Sequence, residues 1–158
     1  MFVHDFVHIG RRLQEVKAEV LADHGRWLRP LATTNGDELR LRVGPTGIPT
    51  DHPLIGKQIR VEVGEPREVV DAVVVPMRWE ATGVSGLFPT LEADLEFGAL
   101  GPERTRISLS GRYEVPFGRV GRTVDDLLLH GLAEETVREF LKRLAKALEE
   151  RRVDSSSC

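Results

Sequence analysis

The chain has 158 residues, of which 41% are hydrophobic and 30% charged, with a formal net charge of -3. That length suits one domain with one core, and no disulfide or structural metal is needed to close it. Charges of mixed sign leave no basic stripe to track phosphates, which argues against a nucleic-acid partner, and the longest apolar run, Ala72 to Val75, is far too short for a membrane span.

Residues 2 to 9 read as a strand. The opening MFVHDFVHIG carries no basic leader and no small-residue cleavage site, so it is taken as structure rather than a secretion signal, and the expected location is cytoplasmic. The single cysteine, Cys158, lies behind a serine run and agrees with that compartment. Asp5 is the odd member of a row with Val3, Val7 and Ile9. Two registers are open: that row inward, with Asp5 at the floor of the interior, or Phe2 and Phe6 inward, with Asp5 in water. The second is the preferred one.

From Arg11 to about Trp27, Leu13, Val16, Val20 and Leu21 recur at helical spacing. Pro30, Thr33, Thr34, Asn35 and Gly36 are read as the turn that ends this region. Two short strands follow: Leu39, Leu41 and Val43 alternate with Glu38, Arg40 and Arg42, then Ile59, Val61 and Val63 with Gln58, Arg60 and Glu62. Between them, GPTGIPTDHPLIG is a long loop, a rim or lid.

GEP at 64 to 66 turns the chain into an extended run from Glu68 to Ala81. Pro76 inside it lacks a ladder donor and predicts an edge position or a bulge. LEADLEF, residues 91 to 97, puts Leu91, Ala93, Leu95 and Phe97 on one face and three carboxylates on the other. RISLSGRYEV follows, with Ile107, Leu109, Gly111, Tyr113 and Val115 opposed to Arg106, Ser108, Ser110, Arg112 and Glu114. A long helix, 124 to 151, closes the chain, with Thr123 as N-cap and a stripe of Val137, Phe140, Leu141, Leu144 and Leu148. Gly131 interrupts it and permits a kink or a close approach to the sheet. Residues 153 to 158 are expected to be a disordered tail. This order predicts an α+β domain over 1–152: an antiparallel sheet of about six or seven strands, wet on one face and covered on the other by the terminal helix.

The segments RWEATG, GLFPTLEADLEF and TRISLSGRYEVPFGRVGRTVDD, leading into a long terminal helix, resemble the START-like or SRPBCC superfamily of polyketide cyclases, aromatases and lipid-transfer domains. The resemblance runs from the opening strand to about Arg152. GRYEVPFGRVG is the most distinctive piece and is similar to a segment of uncharacterised bacterial members; HIGRR departs from the pattern in lacking a proline. The resemblance implies a helix-grip fold, a curved sheet wrapped around the last helix with a cavity between them.

Counting by two from Leu95, Tyr113 and Trp79 places Met77 and Val75 inside, and Arg78, Glu80, Glu92, Asp94, Glu96, Arg112 and Glu114 outside. The inner face then offers apolar area and two polar tips, which favours binding over acid–base work. The expected ligand-binding set is Met77, Trp79, Leu95, Phe97, Leu109 and Tyr113, with Phe88 and Phe117 as rim residues and His130 near Gly131 on the helix. Trp79 and Tyr113 also read as plain core, the commoner role for such residues, although buried polar tips need partners that a guest could supply. Ala93 and Gly111 either let the helix approach or leave room for a guest. A metal site is not expected: His4 and His8 share a strand face about 13 Å apart at 3.3 Å per residue, and His24, His52 and His130 are scattered. No GxSxG elbow or phosphate loop is present, and no cofactor is implied.

Three functions follow from this set. The first is a binder of a small hydrophobic or aromatic molecule, such as a lipid, isoprenoid or polyketide-like compound. The second is a cyclase or aromatase in which Tyr113, Asp5 or His130 moves a proton. The third is a protein–protein adaptor on the outer sheet face, disfavoured by its charged rows. Formation of a homodimer is left open.

Overall fold

Alternation of apolar and charged residues builds one antiparallel sheet, and the computed structural model describes residues 2–22, 25–35, 38–43, 57–81, 90–114 and 126–155. Its strands are β1 (Phe2–Ile9), β2 (Ala32–Asn35), β3 (Glu38–Val43), β4 (Lys57–Val63), β5 (Arg67–Val69), β6 (Ala72–Ala81), β7 (Thr90–Ala99) and β8 (Thr105–Glu114). They form an eight-stranded sheet in the order β1-β8-β7-β6-β4-β3-β2, with β5 also on β6. The helices are α1 (Leu13–Ala22), a 3-10 helix (Arg26–Leu31) and α2 (Asp126–Ser155). β1 and β2 are the two edges of the path.

Two strands are additional to the sequence pattern. Thr33, Thr34 and Asn35, expected as a turn, belong to β2, which pairs with β3 from Ala32↔Leu41 to Asn35↔Glu38; β-branched threonine suits a pleated strand. The expected continuous run from Glu68 to Ala81 is broken at Val70 and Asp71, because Val69 pairs with Ala72 across a two-residue turn. Asp71 takes φ 55 there. Aspartate tolerates this left-handed conformation through local hydrogen bonding, and no glycine or proline announces the turn.

Pro76 meets the expected bulge. Met77 pairs with Val63 and Val74 with Arg67, so three residues, 64 to 66, oppose two on β6. The carbonyl of Pro76 accepts the N–H of Gly64 at 2.8 Å. A strand residue directs its N–H and C=O to the same neighbour, so the donor that proline lacks faces the interruption, where it is not required.

The expected helix from Arg11 to Trp27 is two pieces. α1 buries Leu13, Val16 and Val20, Gly25 then takes φ 82, and the chain continues as the 3-10 helix, which buries Trp27 and Leu28. α2 has 30 residues, about 45 Å at 1.5 Å per residue, and runs past 151 to Ser155. It lays Ala133, Val137, Phe140, Leu141, Leu144 and Leu148 against the sheet. The Thr123 cap, the loop at 44 to 56 and residues 156 to 158 lie outside the described residues.

The inner and outer rows of β6, β7 and β8 are those read by counting in twos: Val75, Met77, Trp79, Leu95 and Leu109 are buried, while Arg78, Glu80, Glu92, Asp94, Arg112 and Glu114 are exposed. Outside, Arg78 pairs with Glu92 at 3.7 Å and Arg67 with Asp94 at 3.6 Å. The preferred register of β1 is corrected. Val3 and Ile9 are buried, whereas Phe2 and Phe6 point outward, 61% and 53% exposed. Both faces of this strand are apolar by sequence, and α2 packing against the Val3 face decides between them. Gly111 is also reassigned. A side chain there would strike Ala93 and the Glu92 carbonyl on the neighbouring strand, so the glycine serves a close approach of β7 to β8 rather than of the helix or a guest.

Candidate functional site

Strand register assembles the site row by row. Tyr113 pairs with Leu91, and Leu91 with Trp79 on its other side. These three make one row across the inner face, and Val61 extends it on β4. Trp79 meets Phe140 of α2 edge to face, with ring centroids 5.0 Å apart and planes at 71°, an arrangement worth about 0.5–1.5 kcal/mol beyond the area it buries. The next rows are Gly111, Ala93 and Met77, then Leu109, Leu95 and Val75.

Of the expected ligand-binding residues, Trp79, Met77 and Tyr113 therefore lie together, and Leu95 and Leu109 face each other further in. Phe97 is six residues along β7 from Leu91, roughly 20 Å away at 3.4 Å per residue, where Trp27 packs edge-on against it at 5.5 Å. His130 is on α2; its side chain, Phe88 and Phe117 lie outside the described residues. Leu91 and Phe140 complete the row yet were assigned only to core stripes by sequence. Their signal was present in LEADLEF and in the helical stripe, but the pairing that joins them is tertiary.

Trp79 is 3% exposed, and its indole Nε1 has no hydrogen-bond partner; the indole Nε1 of Trp27 is likewise unpartnered. Leaving a buried donor unsatisfied costs about 1–3 kcal/mol. Tyr113 is half-buried, and burial pushes its phenol above the ordinary 10.0, so the ring stays neutral and keeps its O–H at physiological pH.

Two carboxylates stand on the described inner strand rows, Glu68 of β5, which pairs with Val73 and is bridged to Lys17 of α1, and Asp5 of β1. Asp5, beside Leu109, is engaged twice: Oδ1 accepts the N–H of Phe6 at 2.8 Å and Oδ2 accepts Nε of Arg138 on α2 at 3.2 Å. The expectation that Asp5 faces water is thereby corrected. His4 is on the outer face, with Nδ1 2.7 Å from Ser110 Oγ. Among the described residues no three of His, Cys, Asp and Glu gather where an ion would bind.

The two ends of the sheet differ. Residues 43, 57, 81, 90, 114 and 126, from which the connections 44–56, 82–89 and 115–125 depart, are all at the Trp79 and Tyr113 end or begin α2. The other end is tied by Arg11, only 8% exposed. Its Nη1 donates to Glu19 at 2.9 Å and to the Leu148 carbonyl at 2.8 Å, and its own carbonyl accepts Thr105 Oγ1 at 2.8 Å. Arg151 joins the same Glu19. An arginine just after a strand reads as solvated in sequence, so this junction had no local signal.

This arrangement is a helix-grip fold: a single antiparallel sheet carrying a long C-terminal helix on its apolar face. The chain is similar to a conserved protein of Geobacillus kaustophilus at 14% identity, with 93% of this chain and 94% of that one covered and a TM-score of 0.57. It is also similar to a START superfamily protein of Mycobacterium smegmatis, at 19% identity, 95% of each chain and a TM-score of 0.48. A third similar structure is the Zhui aromatase/cyclase of Streptomyces sp. R1128, at 17% identity, 99% and 98% coverage and a TM-score of 0.49. At 14% identity the likeness to the Geobacillus protein is one of fold. No family model matches the sequence, and no curated protein does. Among the described residues, no helix is long and apolar enough to cross a membrane.

Proposed function

We propose that this protein binds a small hydrophobic or aromatic molecule, of the lipid, isoprenoid or polyketide-like kind, between the sheet and α2 at the Trp79 and Tyr113 end, and does so in the cytoplasm. The observation that carries this reading is the Tyr113–Leu91–Trp79 row set against Phe140. It is apolar, tipped by two neutral donors, and stands where the long connections attach, while the opposite end is tied by Arg11. Each fully buried apolar contact contributes about 2 kcal/mol before ordering costs, so a few suffice for micromolar affinity. Native mass spectrometry of gently purified protein should reveal a bound small molecule. Trp79→Ala and Tyr113→Ala should each weaken uptake of an apolar fluorescent probe about tenfold with circular dichroism unchanged; unaltered titrations for both would overturn the reading.

Two observations favour further readings. Asp5 on an inner row is the group a cyclase or aromatase would use, although both its oxygens are already engaged; Asp5→Asn would then abolish ring closure of a poly-β-ketone while sparing binding, and equal turnover would remove this reading. The exposed Phe2 and Phe6 lie on edge strand β1, with the Phe6 and His8 rings 5.4 Å apart, and favour association with a second copy. Sedimentation of Phe2→Ser/Phe6→Ser against the parent checks this: a parent that is monomeric at all concentrations rules it out.

A further inference from the structure

The unpartnered indole of Trp79 narrows the class of guest, given the binding reading above. A donor that is 97% buried on the described geometry, at 3% exposure, is kept at a standing cost of about 1–3 kcal/mol. That cost is removed when an acceptor arrives. Trp79 belongs to a row at the end where the connections attach, one row inside Ala81 and Ile59, and its neighbours there, Leu91, Val61 and Phe140, carry no side-chain acceptor. Trp27 is different. Its unpartnered N–H sits by Phe97 at the tied end, roughly 20 Å along the strands.

Charge on the inner face sets the second constraint. An ionised guest needs a counter-charge inside, because burying an unpaired ion costs far more than burying a dipole. The inner rows from Trp79 inward, Tyr113–Leu91–Trp79–Val61, Gly111–Ala93–Met77–Val63 and Leu109–Leu95–Val75, hold no cation; Lys57 has the inner parity of β4 but stands four residues beyond Val61, toward the connections. The one carboxylate on these rows, Asp5 beside Leu109, is already paired with Arg138, so neither a carboxylate guest nor an amine guest finds a free partner on them.

We propose that the guest is an uncharged molecule with an acceptor oxygen, a ketone, quinone, ester or ether on an apolar frame, and that this oxygen takes the indole N–H of Trp79. Three probes on one tricyclic frame test it: fluorene, fluorenone and fluorene-9-carboxylate. Fluorenone should bind about tenfold more tightly than fluorene, the worth of satisfying a buried donor, and the carboxylate should bind most weakly. Trp79→Phe should weaken fluorenone about tenfold more than it weakens fluorene. The chain has two tryptophans, so the parent's indole N–H spectrum has two resonances, assigned with Trp27→Phe; that of Trp79 should move downfield with fluorenone and not with fluorene, while that of Trp27 stays. This spectrum reads the parent protein, so the test survives a poorly folded Trp79→Phe. Equal affinity for fluorene and fluorenone, tightest binding of the carboxylate, or a Trp79 resonance indifferent to fluorenone overturns the inference alone. Failure of all three probes to bind overturns the binding site with it.

Discussion

Gly111 on β8 and Ala93 on β7 share one rung so closely that a Cβ on the glycine would sit 2.6 Å from the alanine Cβ and 2.7 Å from the Glu92 carbonyl oxygen. Gly111→Ala should therefore destabilise the protein by about 1–3 kcal/mol, the usual cost of overpacking. Adding Ala93→Gly removes the methyl contact and leaves the carbonyl one, so recovery should be partial. Urea midpoints of the two variants, at constant m, check this; a Gly111→Ala midpoint equal to the parent's would mean the rung is not tight.

The phenol of Tyr113 gives a pH prediction with a definite sign. Its folded pKa lies above 10.0 because burial disfavours phenolate. The neutral ring's contribution is complete below pH 10 and is lost as pH rises from about 10 toward the folded value, since the unfolded chain releases its proton first. Tyr113 is the only tyrosine, so near-ultraviolet phenolate absorbance reports it alone. Native protein should titrate later than urea-unfolded protein, and stability should fall as pH rises above 10. Coincident titration curves would place the ring in water.

Glu19 and Asp5 should respond very differently to loss of charge. Glu19→Leu takes the nearest carboxylate from the buried Arg11 and leaves it the Leu148 carbonyl and Glu15 at 3.7 Å; breaking a buried pair from one side costs about 3–5 kcal/mol, and the loss here should approach the lower figure. Asp5→Asn faces an Arg138 that is 50% exposed, where a pair is worth about 1 kcal/mol or less and fades with salt. Denaturation in low and high salt separates the cases. Equal losses would refute the contrast between a tied end and a solvated seam.

At the β5–β6 turn, Asp71 holds φ 55. A β-branched residue resists that conformation, so Asp71→Val should be less stable than Asp71→Gly by about 1–2 kcal/mol. Thermal melts of the pair decide it, and matched midpoints would remove the left-handed turn.

The rows of β6, β7 and β8 were legible because each carries charges at alternate positions, and one face of an extended chain cannot be wet and dry at once. Glu92, Asp94 and Glu96 thus announced that Leu91, Ala93 and Leu95 point inward. The stripe from Val137 to Leu148 announced α2 by the same reasoning at helical period. Counting stops working on β1, whose alternate sets, Val3, Val7 and Ile9 against Phe2 and Phe6, are both apolar. It also stops where an element is very short, as in β2 and β5.

What the sequence by itself determined is the antiparallel sheet, its wet face and the helix that covers the other, since these follow from local periodicity. Tertiary structure alone decided which side of β1 is buried, that Arg11 is inside, and that Tyr113, Leu91, Trp79 and Phe140 meet. Those outcomes depend on partners far apart in the chain: Asp5 and Arg138 are 133 residues apart, and Arg11 and Leu148 are 137 apart. Burial and hydrogen-bond satisfaction belong to the assembled neighbours, so no window of residues carries them.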